Sequence, residues 1–311
     1  MAEAGDSGVD PEPGPASAGE PGLQAGPPFT KTPTFAAFHA ARYQRQSLVR
    51  QIQDMTGRTL ICYVDTSDEG ISRDDTLGFA DLLHNVGSNQ PLDLLLHTRG
   101  GDVDETEKII KMIRPVVGNA EFRAIIPDMA KSAGTLLILA ADLVLMSDTS
   151  ELGPIDPQIM HVGSNGERRR LSVLTYIKTY EELETALHAN GNDVAAHIMM
   201  NKLDPATLQH YRFIRERARN LAENLLKQGM FRITPGNYTQ IPADLMNTDK
   251  WQTHGQVIDA QDARRIGLNV QAIDRRDPLW DAIWTLYTHQ RMTLGSDNSK
   301  LFESQYVCLP M

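Results

Sequence analysis

From residue 59 to residue 146 the hydrophobic positions fall into short alternating elements. Thr59-Leu60-Ile61-Cys62-Tyr63-Val64 has the apolar and β-branched content of a strand. Asp74 to Val86 has helical spacing and stops at Gly87. Leu92 to Leu96 is apolar apart from Asp93, which suits a strand buried on both faces. The pattern then predicts a helix over Thr106 to Ile113, a strand over Phe122 to Ile126, a helix over Ser132 to Ala141 and a strand over Leu143 to Met146. Strands and helices alternate through short connections, so the reading is an α/β fold with right-handed βαβ units and a mostly parallel sheet.

Outside that run the periodicity changes. Phe35, Phe38, Leu48, Ile52 and Met55 are roughly helix-spaced and predict a helix over 35–55, with Gly57 as its stop. Beyond residue 157, three helices are expected over 171–187, 193–202 and 205–228. The last has Asp204 to cap it, Pro205 at its first position and Gly229 at its end. Its Leu208, Tyr211, Ile214, Ala218, Leu221 and Leu225 form one stripe, so Arg212, Arg215, Arg217 and Arg219 read as a solvated face. A helix over 260–266, a strand over 270–273 and a helix over 279–289 close the pattern. The expected organisation is a disordered Gly/Pro/Ala-rich leader over 1–30, one domain over 31–294 with a helical insertion at about 171–230, and a polar, mobile tail over 295–311.

Composition narrows the function. The chain has 311 residues and a formal net charge of −10, which argues against a general nucleic-acid binder. Cys62 and Cys308 read as free thiols in a reducing compartment, and no Cys/His pair has zinc spacing. The longest apolar stretch, Ala133 to Met146, is broken by Asp142 and is shorter than the roughly 20 residues of a membrane span. The start of the chain lacks the apolar core of a signal peptide. A cytoplasmic protein with no membrane span, no metal and no cofactor is expected.

Two glycine- and small-residue turns carry candidate chemistry. Leu94-Leu95-Leu96-His97-Thr98-Arg99-Gly100-Gly101-Asp102 leaves a buried strand and enters a helix. Glycines there let backbone N–H groups approach an anion closely. The spacing is neither a dinucleotide fingerprint nor a P-loop. Asp102, Asp104, Glu105 and Glu107 in the following turn would repel phosphate and read as helix-capping charges. Asp128-Met129-Ala130-Lys131-Ser132-Ala133-Gly134-Thr135 has the same strand–turn–helix layout. Ser132 alone would read as a helix cap. Coupled to Gly100 and Gly101 across neighbouring parallel strands, it reads as a nucleophile, with one amide from each turn, that of Ala133 in the second, as an oxyanion hole.

The order of these turns, followed by Ser150-Glu151-Leu152-Gly153-Pro154-Ile155-Asp156-Pro157, resembles the ClpP/crotonase superfamily. Within it the chain is similar to the serine dehydrogenase proteinase family, related to signal peptide peptidase A. Thr253-His254-Gly255 and Ile266-Gly267-Leu268-Asn269-Val270 are similar to that family's closing motif. The resemblance spans roughly residues 58–275. It implies a ClpP/crotonase-like sheet with flanking helices, a serine peptidase acting on a peptide or protein substrate, and a homo-oligomer. It also implies attack by Ser132, with Gly100, Gly101 and Ala133 around the oxyanion.

The base stays open. ClpP-type members place a His after the strand following the nucleophile helix, where this chain has Leu152-Gly153-Pro154; His161 lies beyond the matching block. His254 suits the role, because histidine is the side chain that can serve as a base near neutral pH without further tuning. Lys178 sits at a separation from Ser132 similar to that of the lysine in Ser-Lys dyads, but it would need burial to be neutral. Lys131 is read as surface or substrate-facing. Asp156 is read first as a turn cap, with orientation of His254 as its alternative. Two rival functions remain: an acyl-CoA enzyme using the same oxyanion hole, and an inactive binding or scaffolding subunit.

Overall fold

The computed structural model describes residues 31–162 and 166–311, divided into two units at Ala40. The leader expected over 1–30 lies outside the described residues. In the first unit, helix α1 (Pro33–Phe38) is capped by Thr32, whose hydroxyl accepts from the Phe35 N–H at 3.3 Å. The helix expected over 35–55 is therefore broken, and α2 runs Ala40–Thr56.

The second unit follows the predicted alternation: β1 (Thr59–Asp65), α3 (Asp75–His84), β2 (Leu92–His97), α4 (Val103–Val117), β3 (Phe122–Ile126), the short β4 (Met129–Ala130), α5 (Ala133–Leu139) and β5 (Leu143–Met146). A second short strand, β6 (Glu151–Leu152), and a hairpin of β7 (Gln158–Val162) and β8 (Arg168–Ser172) come next. The helices α6 (Val173–Ala189), α7 (Val194–Met200), α8 (Pro205–Gln228), α9 (Gln240–Leu245) and α10 (Ala260–Ile266) lead to β9 (Val270–Ala272). The chain ends with α11 (Pro278–Thr293), β10 (Lys300–Ser304) and β11 (Cys308–Pro310).

The main sheet has the order β11-β10-β1-β2-β3-β5-β9. All pairings from β1 to β9 are parallel, and β10 and β11 join antiparallel. Successive side chains of a strand point to opposite faces, and both faces of this sheet are buried. Ile61, Tyr63, Leu94, Leu96, Ala124 and Ile126 meet residues of α3, α4 and α5 on one side. Cys62, Val64, Leu95 and Ile125 meet Val49 and Ile52 of α2 and Trp280, Ile283 and Leu286 of α11 on the other. Asp93, fully buried at the start of β2, is paired with Arg58 and Arg123. The C-terminal half of α8 joins the first core through Leu221, Ala222, Leu225 and Leu226, which ties the helical insertion to the sheet.

The mobile tail expected over 295–311 is instead part of the sheet. Its polar residues are paired internally, which hides a strand from hydropathy. Glu303 is wholly buried and receives Arg45 Nε at 2.9 Å and Gln290 Nε2 at 3.1 Å. Lys300 Nζ lies 2.8 Å from Asp75 and 2.9 Å from the Ser72 hydroxyl. Cys62, Glu303 and Cys308 lie in one row across β1, β10 and β11. Both thiols are free, and burial pushes both up.

No helix among the described residues is long and apolar enough to cross a membrane.

Candidate active site

The turns after β2 and β4 are stitched together by main-chain bonds. The Thr98 N–H donates to the Met129 carbonyl at 3.0 Å, and the Lys131 N–H donates to the Thr98 carbonyl at 3.1 Å. A third segment joins from the other side: the Ile71 N–H donates to Gly100 O at 2.6 Å, and the Asp102 N–H to Ile71 O at 2.8 Å. Both glycines are required by this crowding. Gly100 has φ 112°, and a Cβ there would lie 2.8 Å from Ser132 Cβ. Gly101 has φ 140°, and a Cβ there would lie 2.2 Å from the Ile71 nitrogen. Of the two glycines, Gly100 thus sits directly against Ser132, while Gly101 sits against the Ile71 backbone.

The three expected amides are not equivalent. The Gly100 N–H is engaged by Thr98 Oγ1 at 3.1 Å, and that hydroxyl donates to Asp65 Oδ2 at 2.9 Å. Burial raises the Asp65 carboxyl above its ordinary range, against the hydrogen bonds it accepts from Ser67 and Thr98. Among the described residues, the N–H groups of Gly101 and Ala133 have no acceptor.

Ser132 does not cap its helix. Asp102, Ser172, Asp193, Asp204 and Asp259 each accept N–H groups at the starts of their helices, whereas Ser132 makes no such bond. Its backbone lies at φ 52° and ψ −112°, a conformation costing about 1–3 kcal/mol for a residue with a Cβ. Asn89 is the other positive-φ residue besides glycine among the described residues, and it belongs to a type that tolerates this region. Ser132 is thus a strained, uncapped, half-buried serine beside two amides without an acceptor among the described residues.

Ser132, Gly100, Gly101, His254 and Asp156 line one cleft of about 630 Å³, together with Gln158, Ile159 and Met160 of β7. His254 is half-buried on the loop before α10. Its Nδ1 is buried without a hydrogen-bond partner and lies 3.7 Å from Asp156 Oδ2. Asp156 Oδ1 accepts from Ser172 Oγ at 2.6 Å, which fixes the carboxylate facing His254.

Lys178 lies elsewhere. It lines a separate cleft with Glu181, Glu182 and Asp249. Its ammonium bonds to Asp249, and that hydrogen bond raises its pKa above the ordinary value, the opposite of what a lysine base requires. Lys131, expected at the surface or facing substrate, is buried, because Gly153 leaves room for its stem and four oxygens receive its ammonium. The acidic turn after Gly101 acts as expected: Asp102 accepts from the N–H groups of Asp104 and Glu105 at 2.7 and 3.1 Å. No group of three or more His, Cys, Asp and Glu side chains among the described residues could hold a metal ion.

A buried network that the sequence did not disclose joins the roots of the two turns. Tyr287 of α11 donates to Asp128 Oδ2 at 2.6 Å, and its hydroxyl lies 3.1 Å from His97 Nδ1. The available signal was a His ending a strand that is otherwise apolar apart from Asp93. Burial lowers the His97 pKa to about 4, against the opposing pull of Asp128. The unfolded chain therefore takes up this proton at about pH 6.5, well before the folded one does. Stability should be fully present above pH 6.5 and fall by roughly 2–3 kcal/mol as the pH drops toward 4. Urea midpoints between pH 7.5 and 4.5 check this, and His97→Gln should flatten the decline.

A model of the ClpP-like SDH-type serine proteinases matches residues 71–276. Two proteins of Methanocaldococcus jannaschii are similar in sequence. MJ0137 is 30% identical over 125 residues, 37% of this chain and 43% of that protein. MJ1495 is 28% identical over 126 residues, 37% of this chain and 42% of that protein. The match thus spans less than half the length of either curated relative. Among solved structures, ClpP1 from Listeria monocytogenes aligns over 76% of this chain and 99% of its own, with 17% identity and a TM-score of 0.39. The 1510-N membrane-bound stomatin-specific protease, as a lysine-to-alanine mutant in complex with a substrate peptide, aligns over 70% of this chain and 89% of its own. Its identity is 16% and its TM-score 0.24.

Proposed function

The chain belongs to the ClpP-like SDH-type serine proteinases, and from that premise we propose that it cleaves peptide bonds through an acyl-enzyme on Ser132. The observation that carries this reading is the state of Ser132: positive φ, no capping bond, and contact with Gly100 beside the free amides of Gly101 and Ala133. A serine whose only task was to cap α5 would adopt an extended backbone and bond to the first turn.

In the proposed cycle the Ser132 hydroxyl attacks the scissile carbonyl carbon as His254 takes its proton. The carbonyl oxygen becomes an oxyanion between the N–H groups of Gly101 and Ala133. The protonated His254 then gives its proton to the leaving amine, and water releases the acyl group by the same steps in reverse. Asp156 faces the His254 ring and would stabilise the imidazolium. The 3.7 Å gap between them must shorten when substrate fills the cleft, as catalytic hydrogen bonds often do on forming the complex. A peptide or protein substrate, a closed homo-oligomer and a cytoplasmic site of action belong to the same proposal.

Hydrolysis of a peptidyl p-nitrophenyl ester tests the assignment. Ser132→Ala should abolish turnover, and His254→Ala should lower it about 10²–10⁴-fold. Lys178→Ala should stay within a factor of two or so of the parent, because its ammonium already serves Asp249. A silent parent enzyme would favour the inactive binding subunit. A dead Lys178→Ala with an active His254→Ala would reverse the choice of base.

A further inference from the structure

We propose that Lys131 is a positioning residue for His254, an inference that rests on the assignment of Ser132 and His254 above. Lys131 precedes the nucleophile, yet its side chain runs beneath the site instead of into it. Its ammonium lies 3.2 Å from the Leu152 carbonyl, 3.3 Å from each of the Gly255 and Gln256 carbonyls, and 3.0 Å from Glu151 Oε1. Two of these four oxygens belong to the residues directly after His254. The others belong to β6, which pairs with β4 just before Ser132.

The loop carrying His254 is anchored at one end by the buried Trp251, whose Nε1 donates to the Asp244 carbonyl at 2.7 Å, and at the other by the Ile258–Leu152 bridge. Between them residues 252–257 have no regular secondary structure, and Gly255 and Val257 are exposed. The bonds within that stretch are the Gln256 N–H to the Thr253 carbonyl at 3.1 Å and the Gln252 N–H to Gln256 Oε1 at 2.9 Å. Carbonyls drawn onto a buried cation lose their freedom to swing outward, and this cation is rooted one residue from the nucleophile. Gly153 keeps the passage open, since a Cβ there would fall 2.6 Å from Lys131 Cδ. A lysine is suited to the task because its three N–H donors radiate from one point and can gather several carbonyls at once.

The experiment pairs amide hydrogen exchange with labelling by a fluorophosphonate in Lys131→Met, which keeps the stem and removes the donors. Exchange at Gln252 and Gln256 should rise about tenfold, with α5 unchanged. Labelling of Ser132 should fall about 10- to 100-fold, the cost of misplacing a catalytic group by about 1 Å. In a His254→Ala background the same substitution should cause no further loss. If Lys131→Met does not fold, Gly153→Ala, which displaces the stem, should raise the same exchange rates. Unchanged exchange in the 252–256 loop overturns the proposal, as does a labelling loss that persists without His254. Should the parent protein resist labelling altogether, the hydrolase reading fails, and exchange alone still decides whether Lys131 holds the loop.

Discussion

Ser132→Gly should leave a protein more stable than Ser132→Ala, while both lose acyl transfer by about four to six orders of magnitude. Glycine ordinarily destabilises relative to alanine by roughly 0.5–1 kcal/mol, because it has more freedom to lose on folding. At φ 52° and ψ −112° the order inverts, since alanine retains the Cβ that makes this conformation costly. The serine hydroxyl contributes no capping bond, so its removal exposes no orphan N–H. Urea denaturation of the three proteins, read beside ester hydrolysis, checks both halves. A Ser132→Gly protein less stable than Ser132→Ala would mean that the backbone is not strained, and with it the main physical reason for reading Ser132 as a nucleophile would go.

Gly101→Ala should be one of the most damaging single added methyls among the described residues. The added carbon would meet the backbone of Ile71, 2.2 Å from its N and 2.4 Å from its O, and neither atom belongs to a flexible side chain. The φ of 140° forbids an easy rearrangement. The bridge between Ile71 and Gly101 must open, and the amide that would face the oxyanion moves with it. Loss of one such donor costs about 10²–10³ in rate, and a strained or clashing backbone adds several kcal/mol of destabilisation. Gly100→Ala, whose Cβ would lie 2.8 Å from Ser132 Cβ and 2.9 Å from Lys131 O, should be the milder of the pair in stability, because these approaches are less close. Thermal melts and hydrolysis rates of the two variants provide the comparison.

The parallel sheet was legible because its strands are short apolar runs separated by helix-spaced segments, and the helix bounds at 205–228 and 260–266 follow from Asp204, Pro205, Asp259 and Gly267. The convergence of the two turns was legible because small residues after consecutive strands have few reasons to be small other than close approach. The C-terminal strands were not legible. Lys300 and Glu303 look like solvent-facing residues until Asp75 and Arg45, more than 200 positions earlier, are brought beside them. Lys131 was misplaced for the same reason: its partners are carbonyls, which every residue has and no sequence pattern marks. The pairing of His254 with Asp156 depends on a fold contact across 98 positions of chain, and the residues nearest each in sequence point equally well to a loop bond and a turn cap. The hairpin of β7 and β8, which lines one side of the cleft, falls mostly in residues 158–170, to which the hydrophobic pattern assigns no element, and its last two residues fall in the helix expected over 171–187.

The most direct measurement is the reaction of the whole protein with a fluorophosphonate, followed by the mass of the intact adduct and by mapping of the modified peptide. A single adduct on Ser132, absent from Ser132→Ala, is the predicted result. An unmodified protein, or an adduct that persists in Ser132→Ala, would contradict it.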